Sequence, residues 1–236
     1  LLAMMHQLVL VLLLTQGPAP ETSAPMFPGG AFVSYNSVFA ARESRPHEGT
    51  ISFAAGLRRD FQMSVQVPVI TVDTGRRRTA IGESILSLKY RFLRVDSDRG
   101  TTQASVSLGP RFASSITDSP ADVYLNGSFT YTGLFDIKKL VADLSTDYFA
   151  RNDEINSRLW LSYRPYQSSS VGAEWWIGPS LSWQHNVISK GTVLMPGGVT
   201  YVSPVAGTIL WAGVDFPERN RRMSFGITRQ FRLPGK

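Results

Sequence analysis

Three groups of residues in this chain have types and spacing that could carry chemistry. The first centres on His185, which has Ser182, Ser189 and Asn186 close by in sequence. A nucleophile, a base and a polar orienter are what acyl transfer needs. The other two histidines are His6, beside an apolar run, and His47, in a charged stretch. A membrane-embedded phospholipase places Ser two residues after its His, and here residue 187 is Val. No catalytic set is expected. The second group is Asp143 and Asp147, on one strand face and about 13 Å apart along it. Glycosidase carboxylate pairs span at most about 9.5 Å, so these two are expected to pair with Arg158 or Arg164. The third group is larger. Arg58, Lys89, Arg91, Arg111, Arg158 and Arg164 share the polar parity of their strands with Asp143, Asp147 and Glu174.

Composition removes several other chemistries. The chain has no cysteine, which excludes disulfide scaffolds, thiolate metal sites and cysteine nucleophiles. No His/Asp cluster suggests a metal and no glycine-rich loop suggests a phosphate, so no cofactor is expected. The net charge of +6 over 236 residues could attract an anionic partner. The basic residues are scattered singly, however, and the one dense cluster, Arg76 to Arg78, sits in no nucleic-acid-binding motif. No nucleic-acid partner is expected. If that cluster faces outward it could meet lipopolysaccharide phosphates; otherwise it is a solvated loop.

The elements that must position these groups read as strands. Met63, Val65, Val67 and Val69 alternate with Gln62, Ser64, Gln66 and Pro68, and Leu86, Leu88, Tyr90 and Phe92 alternate with Ser87, Lys89 and Arg91. A period of two gives each run one apolar and one polar face. Similar runs continue to Phe231 and give about twelve strands, each near the length a tilted strand needs to cross a bilayer. Short connections at Arg59-Asp60, Phe135-Asp136 and Ser203-Pro204 alternate with longer ones at Arg42 to Gly49, Val72 to Glu83, Ser114 to Ala121, Arg151 to Asn156 and Pro217 to Arg221. Tyr35, Phe92, Phe112, Tyr148, Tyr163, Trp183 and Phe231 lie towards strand ends, where a membrane barrel carries its aromatic girdles.

The N-terminal stretch differs. An apolar run at Leu8 to Leu14 precedes a Pro- and Ala-containing segment, the pattern of a secretory leader. The expected organisation is a leader over 1–24, a short linker over 25–30 and one β domain over 31–236.

Alternation cannot by itself tell the inside of a barrel from the outside. A soluble secreted β-sheet binding protein would turn the apolar parity inward, whereas a membrane barrel turns it to lipid. Long, evenly sized runs, a polar parity rich in Ser, Thr, Gln and Asn, and the leader favour the second. The predicted fold is an all-β, closed antiparallel up-and-down transmembrane barrel. Two segments carry a family resemblance: Val65-Gln-Val-Pro-Val-Ile70, and Ile81-Gly-Glu-Ser-Ile-Leu-Ser-Leu-Lys-Tyr-Arg-Phe92. Together with Leu161 to Pro165, Met195 to Val199 and Phe225 to Phe231, they resemble a bacterial outer-membrane barrel family. Its members are labelled phenol-degradation (meta) pathway or outer-membrane transporter-like proteins. Glu83 stands where that family carries Asp, and Ile81-Gly82 keeps one of its two glycines. The resemblance implies a barrel in the outer membrane, surrounded by lipid, with a role in the passage of small, aromatic compounds; the excess of positive residues on the polar parity separately predicts a mild preference for anions if the lumen conducts. The resemblance implies nothing about oligomeric state.

Overall fold

The computed structural model describes residues 29–40, 47–73, 77–113, 121–137, 139–151, 153–168, 173–217 and 221–232. The leader and most of the linker expected at the N-terminus, and Arg76, lie outside these residues. The rest is strand with a single 3-10 turn at Leu134–Asp136. The strands are β1 (Gly30–Ala40), β2 (His47–Arg58), β3 (Phe61–Asp73), β4 (Arg77–Ile81), β5 (Ile85–Asp96), β6 (Thr101–Arg111) and β7 (Asp122–Thr132). They continue as β8 (Leu140–Phe149), β9 (Glu154–Ser168), β10 (Ala173–Asn186), β11 (Thr192–Val205), β12 (Thr208–Asp215) and β13 (Arg222–Arg232).

Sequence neighbours pair antiparallel, save that β4 and β5 each pair with β3 and not with each other, and β1 pairs with both β2 and β13. The sheet therefore closes on itself. Thirteen segments make twelve staves, because β4 and β5 both pair with β3, end to end. Gln66 opposes Ile85 and Val69 opposes Ile81, so one extra residue sits in the gap at 82–84. The cause is local. Pro68 has no N–H to give the ladder, and its carbonyl instead accepts the Gly82 N–H at 2.8 Å.

Two expectations about connections are corrected. The segment Val72 to Glu83 is no single loop, since Arg77–Ile81 is strand. The turn expected at Ser203-Pro204 falls at Ala206-Gly207, where Gly207 has φ +78°. Glycine adopts that conformation without penalty. The strand ends Arg58 and Phe61, Asp96 and Thr101, Thr132 and Leu140, Ser168 and Ala173, and Val205 and Thr208 share one end of the barrel with Gly30 and Arg232, here called the turn rim. Ala40 and His47, Asp73 and Arg77, Arg111 and Asp122, Phe149 and Glu154, Asn186 and Thr192, and Asp215 and Arg222 mark the other end, the loop rim.

Burial decides the facing. On β6, Leu108 is 55% exposed and Ser107 3%; on β7, Leu125 is 39% exposed and its neighbour Asn126 5%. The same reversal holds on β10, where Trp175, Ile177 and Leu181 are exposed and Ser180, Ser182 and Gln184 are buried. Apolar side chains point out and polar ones in, the opposite of a soluble barrel. The soluble alternative would require the reverse.

Candidate functional site

The inner face is a set of polar clusters stacked between the rims. Near the turn rim the Arg91 guanidinium donates to Asp60 at 2.7 Å and to Gln103 at 2.8 Å. Arg58 ends β2 just past a register shift and is exposed. Half-buried Lys89 stands between Gln62 and Ser107, on a row that runs on through Asn126 and Asp147. Ser64 with Ser87 (2.8 Å) and Ser105 with Ser128 (2.7 Å) add hydroxyl pairs between neighbouring strands, which is how polar faces of adjacent strands gain cohesion.

The paired carboxylates do not act together. Asp143 accepts the Thr130 hydroxyl at 2.6 Å. Asp147 accepts the Tyr124 hydroxyl at 2.8 Å and the Asn126 amide at 2.9 Å, so its hydrogen bonds come from β7 rather than from an arginine of β9. Arg158 reaches Ser182 at 3.0 Å and Asp215 at 3.7 Å. Arg164 pairs with Glu174 at 3.5 Å and lies 4.8 Å above the Trp176 ring.

At the loop rim Arg111 is buried between two carboxylates, bonded to Glu83 and 3.7 Å from Asp122. Its guanidinium also lies 4.6 Å over the Phe149 ring. Gln184 donates to Glu154 beside it.

The sequence reading left several inner residues unassigned. Glu83 and Glu154 are carboxylates that the pattern places in loops, Asp215 falls in a strand of uncertain facing, and Asp122 stands on the polar parity of β7 without a role being read from it. Trp160, Trp176, Tyr201 and Trp211 form a buried aromatic block with Val141 and Val199. Trp160 and Trp176 stood on the polar parity of β9 and β10, and that anomaly was the available signal. β11 and β12 alternate too weakly to have shown Tyr201 and Trp211.

On the outer face Phe92, Tyr163 and Phe231 lie towards the turn rim, while Phe112, Tyr148 and Trp183 lie towards the loop rim. The Tyr148 hydroxyl donates to Asp153 beyond the strand end (3.1 Å), with the ring on the apolar side, as suits an interfacial tyrosine. Tyr35 differs from expectation: it sits mid-strand, opposite Ile51 and Ile227. The hydrolase alternative finds no geometry. His185 meets Thr192 at 2.8 Å, while Ser182 lies on the other parity, fully buried and engaged by Arg158.

The architecture is a closed antiparallel barrel of twelve staves, apolar outside and polar inside, and its likeness to solved structures is one of fold. Compared with solved structures, the chain is similar to an outer-membrane channel from Pseudomonas putida F1 (TM-score 0.62, 13% identity), covering 91% of this chain and 100% of that one. The KdgM porin matches at TM-score 0.60 and 10% identity, over 85% of this chain and 99% of its own. The NanC porin matches at 0.56 and 9%, over 84% and 98%. No protein-family model matches the sequence, and no curated protein matches it either.

Proposed function

We propose that this protein is a bacterial outer-membrane channel that lets small solutes pass down their gradients, with no catalytic step. One observation carries the reading: the barrel is closed, apolar outside and polar inside. That arrangement is stable only with lipid around it and polar contents within. Its likeness in fold to two porins and a channel supports the same conclusion. The outer belt is the surface for membrane lipid, with the longer loops facing the cell exterior and the short turns the periplasm.

In this reading Lys89, Arg91, Arg111, Arg158, Arg164, Asp143, Asp147 and Glu174 line the lumen, with Arg58 at its mouth. The excess of cations among these favours anions. Glu83, Asp122, Glu154 and Asp215 raise the inner carboxylates to seven against these six cations, and buried Arg222 restores the balance, so the charge count alone gives no strong preference. Charged side chains set the selectivity of a narrow pore through the field they leave uncompensated. The family resemblance adds small aromatic compounds to the solutes worth testing.

The test is a reversal-potential measurement on the protein in planar bilayers under a salt gradient. Replacing Lys89 and Arg91 together by glutamine removes two inner cations and shifts selectivity towards cations. An unchanged reversal potential would sink the lumenal assignment of these residues, and an absence of conductance in the wild type would sink the channel.

A further inference from the structure

The inner charges interact in two ways. Some pairs join neighbouring strands and brace the wall, as Arg91 does with Asp60 at 2.7 Å and Arg111 with Glu83. Two others span farther. Arg158 on β9 reaches Asp215 on β12 at 3.7 Å, three staves away. Lys89 on β5 interacts with the carboxylates of Asp143 and Asp147 on β8, also three staves away. Staves stand about 4.8 Å apart, so each span covers about 14 Å of wall and its side chains must lie across the inner surface. The paired positions set Lys89 with Asp147 in one inner row, Arg158 in the next, and Asp143 with Asp215 in the third.

Beneath these spans the wall residues are short. Ser107 and Asn126 lie between Lys89 and Asp147, and Ser182 and Gly197 lie between Arg158 and Asp215. Ser107 is 3% exposed and Ser182 0%, and Ser105, Ser128 and Thr130 nearby are buried as well. A short hydroxyl on the wall of an open, water-filled bore would be wet. These are dry, so the bore is filled at this height. The carboxylate ends of the spans are held in place. Asp143 accepts the Thr130 hydroxyl, and Asp147 accepts from Tyr124 and Asn126. A Cβ on Gly197 would stand 2.5 Å from Asp215 Oδ1, so glycine there leaves the carboxylate its room. The cations are the parts with freedom, since Lys and Arg carry many rotamers. The closed ladder behind them cannot widen without leaving backbone groups unpaired.

We propose that the Lys89 and Arg158 side chains are the gate of the channel. Extended to Asp143, Asp147 and Asp215 they close the bore at mid-height; folded back along their own strands they open it. The proposal rests on the channel reading and adds to it the moving part. The 3.7 Å contact of Arg158 is longer than the roughly 2.7–2.9 Å of a strong charge-assisted bond, as suits a contact that must let go. The aromatic block on β8 to β12 stays in place, so the opened path runs beside it, along Ser105, Ser107, Ser128 and Thr130.

The chain has no cysteine, so a single introduced thiol reports where water reaches. Ser107→Cys puts one beneath the Lys89 span. In the detergent-folded protein it should react slowly with a small, water-soluble methanethiosulfonate reagent. Adding Lys89→Ala and Arg158→Ala should speed that reaction at least tenfold and at least double the mean conductance in planar bilayers. Asp143→Asn, Asp147→Asn and Asp215→Asn together keep the side-chain sizes, weaken the hold on both cations, and should act in the same direction. Migration that still depends on boiling would show that each variant folds, and either variant alone decides the matter. Fast labelling with both cations in place, or an unchanged rate and conductance once they are released, would overturn the gate. The two claims separate cleanly. A wild type that conducts steadily and is labelled at once keeps the channel and removes the gate. A released variant that is labelled quickly but carries no current keeps the closure and removes the channel.

Discussion

Arg111 concentrates the charge of the loop rim in one side chain. It is buried with Glu83 and Asp122, both themselves largely shielded. Breaking a buried pair from one side leaves an uncompensated charge, which costs about 3–5 kcal/mol. Arg111→Ala should lower barrel stability by that amount, read as the urea midpoint of protein folded into vesicles. The triple change of Arg111→Met, Glu83→Gln and Asp122→Asn should recover most of the loss, since it removes the charges together. Arg94→Ala supplies the contrast. Arg94 and Asp96 are both exposed at the turn rim, where water screens the pair, and its midpoint should not move. Lys89, Arg91 and Arg111 could be found from parity because charge on an otherwise alternating strand is visible one residue at a time. Glu83 could not, because its place on the inner face depends on the interruption between β4 and β5. No local periodicity announces that break.

The strands were legible wherever two apolar and two polar residues alternated without a glycine or proline between them, as on β5, β6, β7 and β9. They blurred on β11, where Pro196, Gly197, Gly198 and Pro204 replace patterned side chains, and on β12, which carries Gly213, and the turn between them falls three residues beyond the expected Ser203-Pro204. Several inner glycines are needed for space. A Cβ on Gly178 would fall on the Leu161 carbonyl oxygen, and one on Gly226 would fall on the Trp211 indole and the Asn36 side chain. Gly127 has open space where its Cβ would be. Substitution by alanine should therefore rank by what must yield. Gly127→Ala should lie within about 0.5 kcal/mol of wild type. Gly226→Ala should cost about 1–3 kcal/mol as the indole is pushed aside. Gly178→Ala meets backbone that cannot move without opening the β9–β10 ladder, and should cost more than either. Urea unfolding in vesicles measures all three, and equal costs for the three would refute the steric account.

At the scale of the molecule the barrel is turned inside out relative to a soluble protein, and its tolerance of charge is inverted with it. Leu181 lies mid-strand on the outer belt, while Val187 lies in a turn at the loop rim. Arginine at a belt's midplane costs about 2–4 kcal/mol and near the interface about 0–1 kcal/mol. Leu181→Arg and Val187→Arg should reproduce that difference when folding is titrated in lipid vesicles, and should lose it in a soluble state. Fold class was readable because many weakly patterned strands agreed with one another. The aromatic block was not, because it assembles from five strands whose side chains meet only once the wall curves.

The pairing that closes the ring joins Gly30 to Arg232 and Ala40 to Arg222, the two most distant strands in the chain. Until β13 reaches β1, each carries an unsatisfied edge, and an exposed hydrophobic edge is an invitation to pair with another chain. Contacts of such long sequence separation are also the slowest to form. The seam therefore makes assembly a race that begins with the first strand and ends only with the last. An incomplete wall has no smaller barrel to fall back on, so its survival depends on keeping those edges covered while the chain waits.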